Sequence, residues 1–184
     1  MKMTTCITIL RGINVSGQKL IKMEILRKLM LSLGFTDVET YIQSGNLVFK
    51  SSSDDTREIS KLIADGILKE FGFEVPVITL SWTELNDIAA DNPFLRDESR
   101  EYSSLYITYL ESAPSEENAA RFNDYSFPGE EFFLGDRAVY LCFPNGYGKA
   151  KINNNFIESK LKVSATTRNL KTTDMLVEMG RGGE

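Results

Sequence analysis

The first eighty residues alternate between two periodicities in an order that few folds accommodate. "TTCITILRG" is rich in β-branched residues and reads as a strand near residues 4–11. Met23, Leu26, Leu29, Met30 and Leu33 then recur at helical spacing, and Gly34 stands where a left-handed cap ends a helix. "VETYIQSGNLVFK" alternates with period two on both sides of Ser44-Gly45-Asn46, the pattern of a hairpin with strands near 37–43 and 46–50. "SSSDD" caps a helix near 55–71, and "EVPVITL" supplies a strand near 74–80, with Pro76 pointing to an edge position. Strand, helix, strand, strand, helix, strand is the split βαβ order of ferredoxin-like plaits.

A helix near 82–90 ends at Asn92-Pro93, and the polar "DNPFLRDESREYS" marks the boundary between halves. The second half follows the same plan. It has a strand near 104–110, a helix near 115–123, a hairpin turned at Gly135-Asp136 with strands near 130–134 and 137–143, and helices near 152–160 and 168–179. A final strand is not evident in this copy, and the tail "GRGGE" reads as disordered. The expectation is an α+β chain of two packed ferredoxin-like sub-domains with mainly antiparallel sheets. Residues 1–80 form the first, 81–103 a helix and linker, and 104–184 the second with an extra terminal helix.

Histidine is absent, which removes Ser-His-Asp and Cys-His nucleophile systems and every histidine-containing metal site. Cys6 and Cys142 each lie in an apolar, strand-like run without a CxxC partner and read as buried hydrophobes. No metal or cofactor fingerprint occurs. No apolar run approaches a membrane span, and the N-terminal apolar stretch is broken by threonines and ends at Arg11, unlike a secretory signal. The cytoplasm is the expected compartment, with no membrane partner.

The net charge of −5 conceals a pattern. Residues 1–50 carry 7 basic and 3 acidic side chains, residues 84–136 carry 3 and 13, and residues 137–184 carry 8 and 4. Both ends are basic and the middle is acidic. The acidic pairs Asp97-Glu98, Glu116-Glu117 and Glu130-Glu131 match no calcium loop and read as solvated surface.

Three basic, polar segments stand out. In "LRGINVSGQKL", Gly12 and Gly17 have the separation that opens a P-loop, but Gln18 precedes Lys19 and Leu20 replaces the hydroxyl that holds magnesium. The segment reads either as a generic anion site before a helix or as a strand-to-helix turn. In "PNGYGKAKINNNF", Lys149 and Lys151 flank glycines and Tyr147 would stack on a ring, whereas Asn145-Gly146 alone is an ordinary turn dipeptide. In "SATTRNLK", Thr166 or Thr167 would cap a helix, and Thr167, Arg168 and Asn169 would equally suit a carboxylate or phosphate.

The segments "LRGINVSGQ", "TYIQSGNLVF", "NPF", "PNGYGKAK" and "ATTRN", in that order, resemble the bacterial family called domain of unknown function 1697. Ser16 stands where the family usually has a second glycine, and Lys149-Ala150-Lys151 fits its later loop loosely. The resemblance implies two ferredoxin-like plaits and supplies no activity, substrate or catalytic residue.

The functional expectation is a module that binds a phosphate-bearing or other anionic small molecule. Arg11, Lys19, Lys149, Lys151 and Arg168 would supply charge, and Asn14, Gln43, Asn46 and Asn145 directional hydrogen bonds. The segments would form one cleft if the sub-domains pack with these ends together. An enzyme is the alternative, with Lys149 or Lys19 as base and Tyr147 as acid, although no catalytic motif supports it. RNA ranks lower, because the aromatic-rich strand of RNA-binding plaits is missing. A third reading gives the loops to sub-domain or homodimer contact.

Overall fold

A computed structural model describes residues 3–182; Met1, Lys2, Gly183 and Glu184 lie outside the described residues. The first half runs β1 (Thr4–Leu10), α1 (Met23–Ser32), β2 (Thr36–Tyr41), β3 (Asn46–Ser51), α2 (Thr56–Phe71), β4 (Val77–Ser81) and α3 (Trp82–Ala90). The second runs β5 (Leu105–Leu110), α4 (Glu116–Asn123), β6 (Glu131–Leu134), β7 (Ala138–Cys142), α5 (Asn154–Leu161), β8 (Ala165–Asn169) and α6 (Leu170–Arg181). Each half is β-α-β-β-α-β followed by a further helix. The sheets have the orders β2-β3-β1-β4 and β6-β7-β5-β8, antiparallel throughout. These are two α+β plaits with one strand order. The chain divides into two compact units: residues up to Asp87 together with those from Met175 onward, and Ile88–Asp174.

In the first unit, Cys6 and Leu10 of β1 and Leu47 and Phe49 of β3 meet Leu26 and Met30 of α1 and Ile59, Ile63 and Ile67 of α2. Helix starts and stops follow the local chemistry. Asp55 Oδ1 accepts from the amides of Arg57 and Glu58, each at 3.0 Å, and Gly72 closes α2 in the left-handed region. Thr8 and Thr79 face each other across β1 and β4 and satisfy one another at 2.7 Å in the core. In the second unit, Phe122 of α4 and Ile157 and Leu161 of α5 pack on Leu110, Val139, Leu141 and Ala165. Phe122 meets Phe132 of β6 with ring centroids 4.8 Å apart. Both cysteines are unpaired and buried. Burial, helped by Asp54, pushes the Cys6 thiol up to about 11.

Three sequence expectations are corrected. The second copy does have its final strand: "ATTRN" is β8, paired with β5 from Tyr106↔Asn169 to Leu110↔Ala165. Thr166 and Thr167 are therefore strand residues, not helix caps. The cap is Asn169, whose Oδ1 accepts from Thr172 N at 2.9 Å, and the last helix begins at Leu170 rather than 168. Gly180 and Arg181 of "GRGGE" belong to α6 rather than to a disordered tail, and Gly183 and Glu184 lie outside the described residues. Among the described residues no helix is long and apolar enough to cross a membrane.

Candidate functional site

The residues singled out in the sequence fall into two groups. Arg11, Asn14, Lys19, Gln43 and Asn46 belong to the first unit, and Asn145, Tyr147, Lys149, Lys151, Thr167, Arg168 and Asn169 to the second.

In the first group, the segment after β1 is a miniature hairpin. Val15 bridges Gln18, whose amide donates to Val15 O at 2.9 Å, and Asn14 N donates to Lys19 O at 3.2 Å. Ser16 and Gly17 form its tip with φ of 50° and 74°, the primed-turn geometry that matches strand twist. Two amides that a phosphate cradle would use are thus committed to the turn, and α1 starts only at Met23. Asn14 anchors this hairpin to the next. Its Nδ2 donates to Ile21 O at 2.9 Å and to Gln43 O at 2.8 Å, and its Oδ1 accepts from Ile21 N at 2.9 Å. Lys19 Nζ donates to Glu74 O at 2.7 Å. Asn46 is fully buried and donates to Tyr41 O and Ser44 Oγ, closing the β2–β3 turn. Arg11 is half-buried and Gln43 exposed.

Asn14 therefore acts as a three-bond clip between loops. We expect Asn14→Ala to cost about 1–3 kcal/mol, because it leaves backbone partners at Ile21 unsatisfied. Asn14→Asp, which keeps the acceptor and loses both donor bonds, should recover only part of that. Chemical denaturation of the two variants checks the order.

The second group splits between a cavity and a polar network. Asn145, Gly146, Lys149, Ala150 and Lys151 line a cavity of about 320 Å³, with Phe143 and Pro128-Gly129-Glu130 as its remaining wall. Lys149 is exposed, and Lys151 Nζ stands 5.7 Å from the Phe127 ring centroid. The Glu130 carboxylate is bound within the same loop, accepting from Lys151 N at 2.7 Å and Ile152 N at 2.9 Å. These backbone amides already hold an anion, and it is the protein's own.

Behind the cavity, Tyr147 OH donates to Thr167 Oγ1 at 3.2 Å and accepts from Asn154 N at 3.1 Å. Thr167 Oγ1 also lies 2.7 Å from Asn154 Oδ1 and 2.6 Å from Thr108 Oγ1. The network ties the 144–153 loop to β5, β8 and the start of α5. Tyr147 meets Tyr106 and Phe143 at centroid distances of 5.4 and 6.0 Å, so its ring is engaged by neighbours. Arg168 Nη1 donates to Thr167 O at 2.9 Å, and burial pulls its guanidinium down to about 10, still charged at neutral pH. Asn169 caps α6 as described.

Reading the sequence missed one cluster. Arg100 grips Glu131 with both terminal nitrogens, at 2.7 and 3.0 Å, and Nη1 also donates to Cys142 Sγ at 3.3 Å. Its Nε lies 3.1 Å from Asp97 Oδ2 without hydrogen-bond geometry, and Phe94 stacks 4.9 Å from its Cζ. The fork from Arg100 holds Glu131 below the usual carboxylate range, and bonds from Ser99 do the same for Asp97. The acidic pairs are thus not all solvated surface: Asp97, Glu130 and Glu131 each have a specific partner. Arg100, set among carboxylates in the polar 91–103 stretch, was the available signal. Among the described residues no group of three or more acidic or cysteine side chains is arranged to hold a metal.

A family model described as a protein of unknown function, DUF1697, matches residues 3–140. The chain belongs to the DUF1697 family. The match contains "LRGINVSGQ", "TYIQSGNLVF" and "NPF", while "PNGYGKAK" and "ATTRN" lie beyond it. No curated protein matches the sequence. The structure is similar to that of the conserved bacterial protein SP0830 from Streptococcus pneumoniae, with a TM-score of 0.73. The two share 23% sequence identity over 97% of this chain and 99% of that one. At that identity the likeness shows the fold of this DUF1697 protein and nothing of its chemistry.

Proposed function

We propose that the cavity beside Lys149 and Lys151 binds a small phosphate-bearing or otherwise anionic molecule, and that this DUF1697 protein is a cytoplasmic binding module rather than an enzyme. The observation that carries the reading is the convergence of Asn145, Lys149 and Lys151 on one concave wall of about 320 Å³. That volume lies at the small end of ligand sites, which suits a sugar phosphate or mononucleotide and not a polymer. Glu130 occupies the loop amides, so recognition of the incoming anion falls to the lysine ammonium groups and the Asn145 amide. The Tyr147–Thr167–Asn154 network holds the loop in place before any ligand arrives, which lowers the ordering cost of binding. Two unpaired cysteines accord with a reducing compartment.

Calorimetric titration at low salt with inorganic phosphate, pyrophosphate and AMP tests this. At least one probe should bind. The double variant Lys149→Ala/Lys151→Ala should weaken binding at least tenfold with little change in melting temperature, because exposed lysines contribute little to stability. Absence of binding by all three probes, or equal binding by the double variant, overturns the proposal.

A further inference from the structure

A second cavity, of about 390 Å³, lies wholly within the first unit. It is bounded by the end of α1, the end of β3 and the first half of α2. Leu33, Phe35, Ile59 and Leu62 give it an apolar lining. Leu62 is 42% exposed, so apolar surface stays in water at the mouth. Glu58, Lys61 and Asp65 join Leu62 in the wall. These four positions recur at i, i+3, i+4 and i+7 of α2, which places them on one face of the helix.

The polar groups of this cavity have capacity left over. On α1 and α4 the i, i+4 pairs Glu24–Lys28 and Glu117–Arg121 close at 2.7 and 2.6 Å. On α2 neither Glu58 nor Asp65 forms an ion pair with Lys61 among the described residues. A lysine placed N-terminal to its carboxylate is the weaker order for such a pair, so charges of both signs remain available at the cavity wall. Ser51, at the end of β3, lines the same cavity and is 3% exposed. Its Oγ accepts from Ser53 N at 3.1 Å and, among the described residues, donates to no acceptor. Buried hydroxyls ordinarily spend their proton, and this one is left as a donor for a ligand.

We propose that this cavity binds a free apolar α-amino acid as its zwitterion. The ligand carboxylate meets the Lys61 ammonium and the Ser51 hydroxyl, both donors to an anion. Glu58 and Asp65 stand one turn to either side of Lys61, so the ligand ammonium finds a carboxylate beside the group that holds its own acid. The aliphatic or aromatic side chain covers Leu33, Phe35, Ile59 and Leu62. The charge pattern selects against simpler molecules: Lys61 repels a plain amine, and the two carboxylates repel a plain acid. A residue inside a peptide chain lacks both terminal charges and leaves these groups unmatched. The volume, near the small end of ligand sites, suits one amino acid.

The test is calorimetric titration of the full chain with L-leucine, L-phenylalanine, phenethylamine, 3-phenylpropionate and L-serine. Leucine or phenylalanine should bind at least tenfold more tightly than the last three, which lack the carboxylate, the ammonium group and the apolar body in turn. Lys61→Gln and the double variant Glu58→Gln/Asp65→Asn should each weaken amino-acid binding at least tenfold. Their melting temperatures should barely move, because the three side chains are exposed and unpaired. Lys149→Ala/Lys151→Ala should leave binding unchanged, separating this cavity from the anion cavity of the second unit. In two-dimensional amide NMR the signals of Gly34, Ser52 and Leu62 should shift together during titration. Absence of binding by both apolar amino acids, equal binding of the amine or the acid, insensitivity to the charge variants, or shifts confined to other residues overturns the proposal.

Discussion

Replacing Gly45 with alanine should destabilise the protein by about 3 kcal/mol, a drop of roughly 6–12 °C in melting temperature for a chain of this size. Two effects add. Gly45 has φ of +79°, where an L side chain costs about 1–2 kcal/mol. A Cβ there would also stand 2.6 Å from Leu10 Cβ and 2.8 Å from Ile13 Cδ1, both in the buried core of the first unit. Leu10 cannot retreat, since its amide is bonded to Gly45 O at 2.8 Å. The "QSGN" turn is thus held against the end of β1, and the glycine is needed for contact as well as for conformation. Thermal denaturation of Gly45→Ala beside Gly72→Ala separates the two effects. Gly72 has φ of +77° and open space where a methyl group would stand, so it reports the conformational cost alone. Equal losses at the two sites would remove the steric part of the argument.

The elements of the first plait were legible because each carries a full period and a punctuating residue. Gly34 and Gly72 end helices, Asp55 begins one, and Pro76 precedes an edge strand. β8 was not legible for an equally local reason. Five residues, two of them threonine and one arginine, run directly into α6 without a loop, and Asn169 serves both as last strand residue and as helix cap. A strand this short is defined by its partner β5, which lies 59 residues away at the Thr108–Thr167 hydroxyl contact. The cavity loop was half legible. Its basic, glycine-rich composition marked Asn145, Lys149 and Lys151. Nothing in the composition says that Glu130 folds back onto the loop amides, because that contact spans 21 residues and depends on the β6–β7 hairpin. The first unit shows the converse: Asn14, in the loop after β1, and Asn46, at the start of β3, read as ligand groups, and each donates to backbone carbonyls of its own unit.

The same dependence on remote contacts sets the sign at Gly180. Judged as a helix residue near the end of α6, Gly180→Ala should stabilise by about 1 kcal/mol, since glycine is a poor helix former. The structure reverses this. A Cβ on Gly180 would fall 2.1 Å from Trp82 Cδ1 and 2.9 Å from its Nε1. The indole is fixed in turn by the bond from Nε1 to Val177 O at 2.9 Å, within the same unit as Gly180. Relieving the clash requires turning the ring out and losing that bond, so overpacking of about 1–3 kcal/mol and a hydrogen bond of about 1 kcal/mol oppose the propensity gain. Gly180→Ala should therefore lower stability by about 2 kcal/mol in urea or thermal unfolding. The cause is separable by a double-mutant cycle. With Trp82→Ala already in place the obstruction is gone, and adding Gly180→Ala should become neutral or stabilising, leaving a coupling energy of about 2–3 kcal/mol between the two sites. Additive losses would mean that Gly180 is needed for something other than room for the indole.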